Sequence, residues 1–145
     1  MMAWRRVRDE RGSAAVEAAV SVPAFVLFVG LIIFGGRTAT THSAIESAAA
    51  DAARTASIAR TASAAKSDAT TAAEASLANQ DIHCMSVTVS VDVSDFAKTV
   101  GQPGSVSATV ECLLDLGDLS VPGIPGSRLI KATSTSPLDT FRERG

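Results

Sequence analysis

The chain has 145 residues, with 13 basic and 15 acidic side chains and a net charge of −2. That length suits one domain, and that balance excludes a strongly basic nucleic-acid binder. Ala, Ser and Thr number 26, 17 and 13, while aromatic residues are only 4 % of the chain. Such small side chains bury little apolar area each, which excludes a thick core and a large aromatic-lined enzyme pocket.

From Ala18 to Gly36 run 19 residues without a charge. As a helix rising about 1.5 Å per residue they span roughly 28 Å, close to the hydrocarbon thickness of a bilayer. Nothing else in the sequence is apolar enough to surround this segment as a core helix. Arg5, Arg6, Arg8 and Arg11 precede it, against Asp9 and Glu10, and Arg37 followed by a long neutral stretch comes after. The positive-inside rule predicts a single-pass cell-membrane protein, N-terminus in the cytoplasm and residues 37–145 outside. Two other readings compete. One is an uncleaved anchor that displays a small extracytoplasmic binding domain. The other is a secretory signal peptide cut near Gly35–Gly36, against which stand the length of the run and the bulk of Phe34 near the possible cuts.

Glu17 spoils a plain anchor. A carboxylate at the entrance of an apolar run is costly unless it stays wet at the interface or finds a partner. Its neighbours read Arg11-Gly12-Ser13-Ala14-Ala15-Val16-Glu17, followed by the apolar run with Pro23 inside it. A basic leader, Gly12, small residues, Glu17 and then a long apolar helix resembles the class III signal of type IV pilin-like proteins. The form of the segment is similar to the TadE-like family, the pseudopilins or minor pilins of Tad/Flp tight-adherence pilus systems. The resemblance implies cleavage by a prepilin peptidase between Gly12 and Ser13. It then implies that Glu17, fifth after the cut, pairs with the freed amine of Ser13 on a neighbouring subunit. It further implies other pilin-like or TadE/TadF-like subunits and the pilus assembly machinery as partners. Glycine before the cut suits such a role, since it brings no side chain into a protease cleft. Pro23 removes one backbone hydrogen bond and is expected to kink the helix, which membrane helices tolerate.

Residues 38–79 hold 17 Ala and neither Gly nor Pro. Alanine has the highest helix propensity, so one helix continuous with the apolar run through Arg37 is expected. Ile45, Ala48, Ala49, Ala52, Ala56 and Ala59 fall on one stripe, and Asn79 serves as a terminator. Disordered low complexity is the competing reading of this stretch. The period then changes to 2. Val87, Val89, Val91 and Val93 predict a strand with one face buried, Ser94–Ser105 a loop, and Val106, Ala108, Val110 and Cys112 a second, antiparallel strand. Val121–Gly126 is turn-rich, and Arg128–Ser134 suits a third strand. The tail Ser136-Pro137-Leu138-Asp139-Thr140-Phe141-Arg142 resembles the end of actinobacterial TadE-like proteins. The expected fold is α+β and pilin-like. It comprises a leader over 1–12, a membrane-spanning helix over 13–36, an Ala-rich helix over 37–80 and a small antiparallel sheet in 81–145.

Cys84 and Cys112 lie at the same end of the predicted hairpin. If residues 37–145 are outside, a Cys84–Cys112 disulfide is expected; two free buried thiols are the alternative. The residues show no catalytic constellation. There is no Gly-x-Ser-x-Gly elbow and no phosphate-binding glycine loop, and His42 and His83 read as surface residues. Glu111, Asp115 and Asp118 hint at calcium but match no EF-hand spacing. The expectation is a non-enzymatic subunit without cofactor or metal.

Overall fold

A computed structural model describes residues 10–115, 117 and 126–141, with side chains from residue 14 onward. The basic leader up to Asp9, most of the Val121–Gly126 connector, Asp118 and Arg142 therefore lie outside the described residues. The chain divides into two compact units, Met1–Gly36 and Arg37–Gly145.

The first unit contributes the beginning of helix α1, Glu10–Ile58, which holds 49 residues and has Pro23 inside it. Its large apolar side chains are on the outside: Leu27 is 70 % exposed and Phe28 61 %.

In the second unit α1 buries one face. Ile45, Ala48, Ala49, Ala52 and Ala56 are all fully buried. This is the stripe that the 3-and-4 spacing predicts, with Ala59 packed against it half-buried. The Ala-rich stretch is two helices rather than the single one expected. α1 stops at Ile58 and α2 spans Ala62–Asn79. The break has a local cause in Thr61, which is extended (φ −128°, ψ 153°) and accepts a hydrogen bond from the Ala64 N–H. Threonine competes for backbone donors in this way, so it starts a helix more readily than it continues one. α2 ends as expected at Asn79, but the residue that reverses the chain is Asp81, at φ 56°. The Ile82 N–H donates to the Leu77 carbonyl at 3.0 Å, the long bond of a Schellman-type end.

The buried face of α2 is Ala65, Ala69, Ala73, Ser76 and Leu77. Polar contacts tie it to α1. The Ser76 hydroxyl donates to Asp51 Oδ2 at 2.7 Å, and Gln80 Nε2 donates to the carbonyls of Ser76 (3.1 Å) and Ala44 (3.4 Å).

Three antiparallel strands follow in the order β1-β2-β3: β1 is Ser86–Asp92, β2 Gly104–Asp115 and β3 Ser127–Leu138. The fold is thus the expected α+β, a long apolar N-terminal helix followed by a small antiparallel sheet. β2 is the central strand, so Val106, Ala108, Val110 and Cys112 are fully buried, and they join the alanines of both helices in one core. β1 is an edge, so its valine face is only half-buried at Val89 and Val91 and is exposed at Val87. β3 runs longer than the predicted Arg128–Ser134 and takes in Pro137 from the tail. An edge strand accepts proline because one side of it has no ladder to donate to. The predicted loop after β1 contains a 3₁₀ helix, Ser94–Ala97, that buries Phe96. Asp95 holds this helix in place by accepting from the Ser105 N–H at 2.9 Å and from Lys98 Nζ at 2.9 Å.

Candidate assembly helix

Gly12, Ser13, Glu17 and Pro23 all lie on α1, and α1 continues through Pro23. Gly12 and Ser13 fall within its opening turn, since the helix begins at Glu10. Glu17 is exposed, one turn on from Ser13. No side-chain hydrogen bond or ion pair is made by Glu17 among the described residues. Val16, Val20 and Val22 flank it, and each is at least 60 % exposed. This is the one helix among the described residues that is long and apolar enough to cross a membrane, and its most apolar window has none of its residues buried. A surface of that kind is stable only against lipid or against other apolar helices. The structure therefore leaves the Glu17 carboxylate beside an apolar surface with no partner among the described residues.

The polar groups of the second unit are differently placed. His42 Nδ1 sits 3.3 Å from Glu46 and His83 Nε2 3.1 Å from Asp81, both pairs on the surface. Of the acids with a hint of calcium, Glu111 is held by Lys131 Nζ at 2.9 Å, and Asp115 accepts from the Gly117 N–H at 2.8 Å. No group of three or more His, Cys, Asp or Glu side chains converges as for a metal among the described residues. Asp92 accepts from the Ser94 N–H, which lowers its pKa below the ordinary carboxylate value. That contribution to stability is present above the ordinary value and is lost as acid titrates the folded carboxylate.

Cys84 and Cys112 are joined as a disulfide with their Cα atoms 5.5 Å apart. The bond ties the segment entering β1 to the middle of the sheet, where Cys112 lies opposite Val87. The adjoining Met85 N–H donates to the Leu113 carbonyl at 2.7 Å, extending the ladder up to the disulfide.

The Asp51–Ser76–Gln80 clasp went unpredicted. Its signal was present as an acid and a long amide set in helical stretches where almost every neighbour is alanine or a small hydroxyl residue.

Residues 12–54 match the family model described as TadE-like protein. The match bears out the resemblance carried by the N-terminal pattern. It begins at Gly12, includes Ser13, Glu17 and Pro23, and ends within the buried alanine stripe. The sheet and the tail lie beyond it. No curated protein and no solved structure matches the chain.

Proposed function

From the premise of a TadE-like N-terminal segment, we propose that the protein is a pseudopilin, a non-enzymatic membrane subunit that takes part in assembling a Tad/Flp-type pilus or a related secretion apparatus. The observation that supports this most is the TadE-like match over 12–54, coinciding with a helix whose apolar surface is unburied. In this reading the arginines before the run hold the N-terminus in the cytoplasm and residues 37–145 lie outside. A prepilin peptidase cuts between Gly12 and Ser13. The bond lies near the start of α1, where a helix unwinds at least cost, and glycine lowers that cost further. The apolar helix survives the cut because the cut is upstream of it. The new amine of Ser13 is a cation, and Glu17 of a neighbouring subunit is its counter-charge. That pairing offsets the penalty of the carboxylate and sets the axial stagger of packed helices.

The test is the N-terminal sequence and intact mass of the protein taken from its host's membranes. A start at Ser13 with the apolar helix retained is expected, and Gly12→Val is expected to leave the precursor uncut. A start at Met1 or Met2 in cells making the peptidase turns the reading into an uncleaved anchor with a small extracytoplasmic binding domain. A start near Gly36 makes it a secreted protein. Glu17→Ala is expected to insert normally and to impair assembly; full piliation removes Glu17 from the mechanism.

A further inference from the structure

Strand β3 ends the sheet, and all its strand partners among the described residues lie in β2. Two hydrogen bonds reveal which of its backbone groups face outward. The Leu113 carbonyl accepts from Met85 on the β1 side, and the Ser105 N–H donates to Asp95, away from β3. In an antiparallel ladder opposed residues alternate between exchanging both bonds and exchanging none. Odd-numbered residues of β2 therefore turn their backbone groups away from β3, and their partners Leu129, Lys131, Thr133, Thr135 and Pro137 turn theirs to the free edge. Every one of these carries an N–H and a C=O there except Pro137, which has only the carbonyl.

Free edges are commonly blunted by lysine or proline. Here neither blunts the middle of the strand. The Lys131 ammonium is engaged by Glu111 of β2 at 2.9 Å, and Pro137 sits at the far end. Beside the edge, Leu129 is 58 % exposed.

We propose that the β3 edges of two copies of this chain pair antiparallel about a two-fold axis at Thr133, so that one sheet runs through both. Thr133 then faces its own copy, Lys131 faces Thr135, and Leu129 faces Pro137. The contact is isologous, and each backbone donor on the edge meets an acceptor. Charge selects this register. Sliding it one step so that Lys131 faces Thr133 brings the two Lys131 side chains onto neighbouring rungs of one face. Sliding it the other way takes Leu129 off the proline ring and sets it against the charge of Asp139. The chosen register keeps the lysines apart, leaves each with its own Glu111, and covers Leu129 with the proline ring. The contact stands on the sheet alone and is independent of the pseudopilin reading.

The full chain in detergent micelles carries the test, with Thr133→Cys as the probe. A directly opposed, hydrogen-bonded pair places its Cα atoms about 5.5 Å apart, within the span of roughly 4.4–6.8 Å that a disulfide bridges. Mild oxidation is expected to give a covalent dimer, while Thr88→Cys, exposed on β1, gives none. Adding Thr135→Pro to the probe removes an N–H that serves the outer edge only. It is expected to abolish the dimer while the circular-dichroism spectrum and the urea midpoint stay those of Thr133→Cys, which shows that the domain has folded. Absence of dimer with Thr133→Cys, equal dimer with Thr88→Cys, or dimer that survives Thr135→Pro each overturns the proposal. Cleavage after Gly12 is read separately, from the mass of host-derived protein, so failure of either reading is distinct from failure of the other.

Discussion

Helix α1 sorts its side chains in opposite ways along its length. Before Gly36 the bulky residues Phe25, Leu27, Phe28 and Leu31 are all more than 60 % exposed; after Arg37 the stripe from Ile45 to Ala56 is fully buried and is mostly alanine. One sequence of consecutive turns thus meets two surroundings. A protein core selects small residues where a second helix must approach closely, and a bilayer selects bulk because its own interior is apolar. Helix propensity favours the alanine half, since Pro23 and three glycines interrupt the other, but it does not say what each half faces. Side-chain size does, and it also says why the alanine half needs help: its faces bury so little area apiece that the domain leans on the disulfide and on the Asp51–Ser76–Gln80 clasp.

The largest expected effect tests that last point. Replacing both cysteines, Cys84→Ala with Cys112→Ala, is expected to lower the unfolding free energy by about 3–4 kcal/mol on the chain-entropy model. Urea titration of the full chain in detergent, followed by circular dichroism, measures it. A change below ~1 kcal/mol would mean that the alanine core is stronger than its area implies. Next comes Phe28→Arg in the exposed half, expected to disfavour insertion by about 3 kcal/mol. Its readout is the fraction of protein that resists alkaline extraction from membranes. Ala52→Leu in the buried half is expected to cost about 1–3 kcal/mol by overpacking, seen in the thermal midpoint. Leu27→Ala, its mirror image in the exposed half, is expected to leave that midpoint in place. If both variants shift it alike, the two halves do not differ as described. Thr61→Ala is the smallest, about 1 kcal/mol, through loss of the cap that opens α2.

Much of this was legible in the sequence because it depends on periodicity. The alanine stripe, the alternation from Val106 to Cys112, and the place of Cys84 and Cys112 at one end of the hairpin follow from spacing alone. The helix break did not, because Thr61 sits among many threonines and only its backbone angles distinguish a cap from a helical residue. Nor did the half-exposure of Val89 and Val91, since a pattern of two cannot tell an edge strand from a central one. Phe96 was unread because a single aromatic in a loop has no period. Of the site, the positions of Ser13, Glu17 and Pro23 on one helix were legible; the earlier start of that helix at Glu10, which takes in Gly12 from the expected leader, and the bare surface around Glu17 required the structure.

The clasp between α1 and α2 has one more consequence. Ala65, Ala69 and Ala73 recur every fourth position along α2, so the alanine face looks nearly the same after a slip of one turn. Such an interface fixes how close two helices lie and says almost nothing about their alignment. Asp51, Ser76 and Gln80 break that degeneracy, because a one-turn slip would separate Ser76 from Asp51 and Gln80 from the Ala44 carbonyl. In this domain the alanines carry the proximity and a handful of polar atoms carry the address.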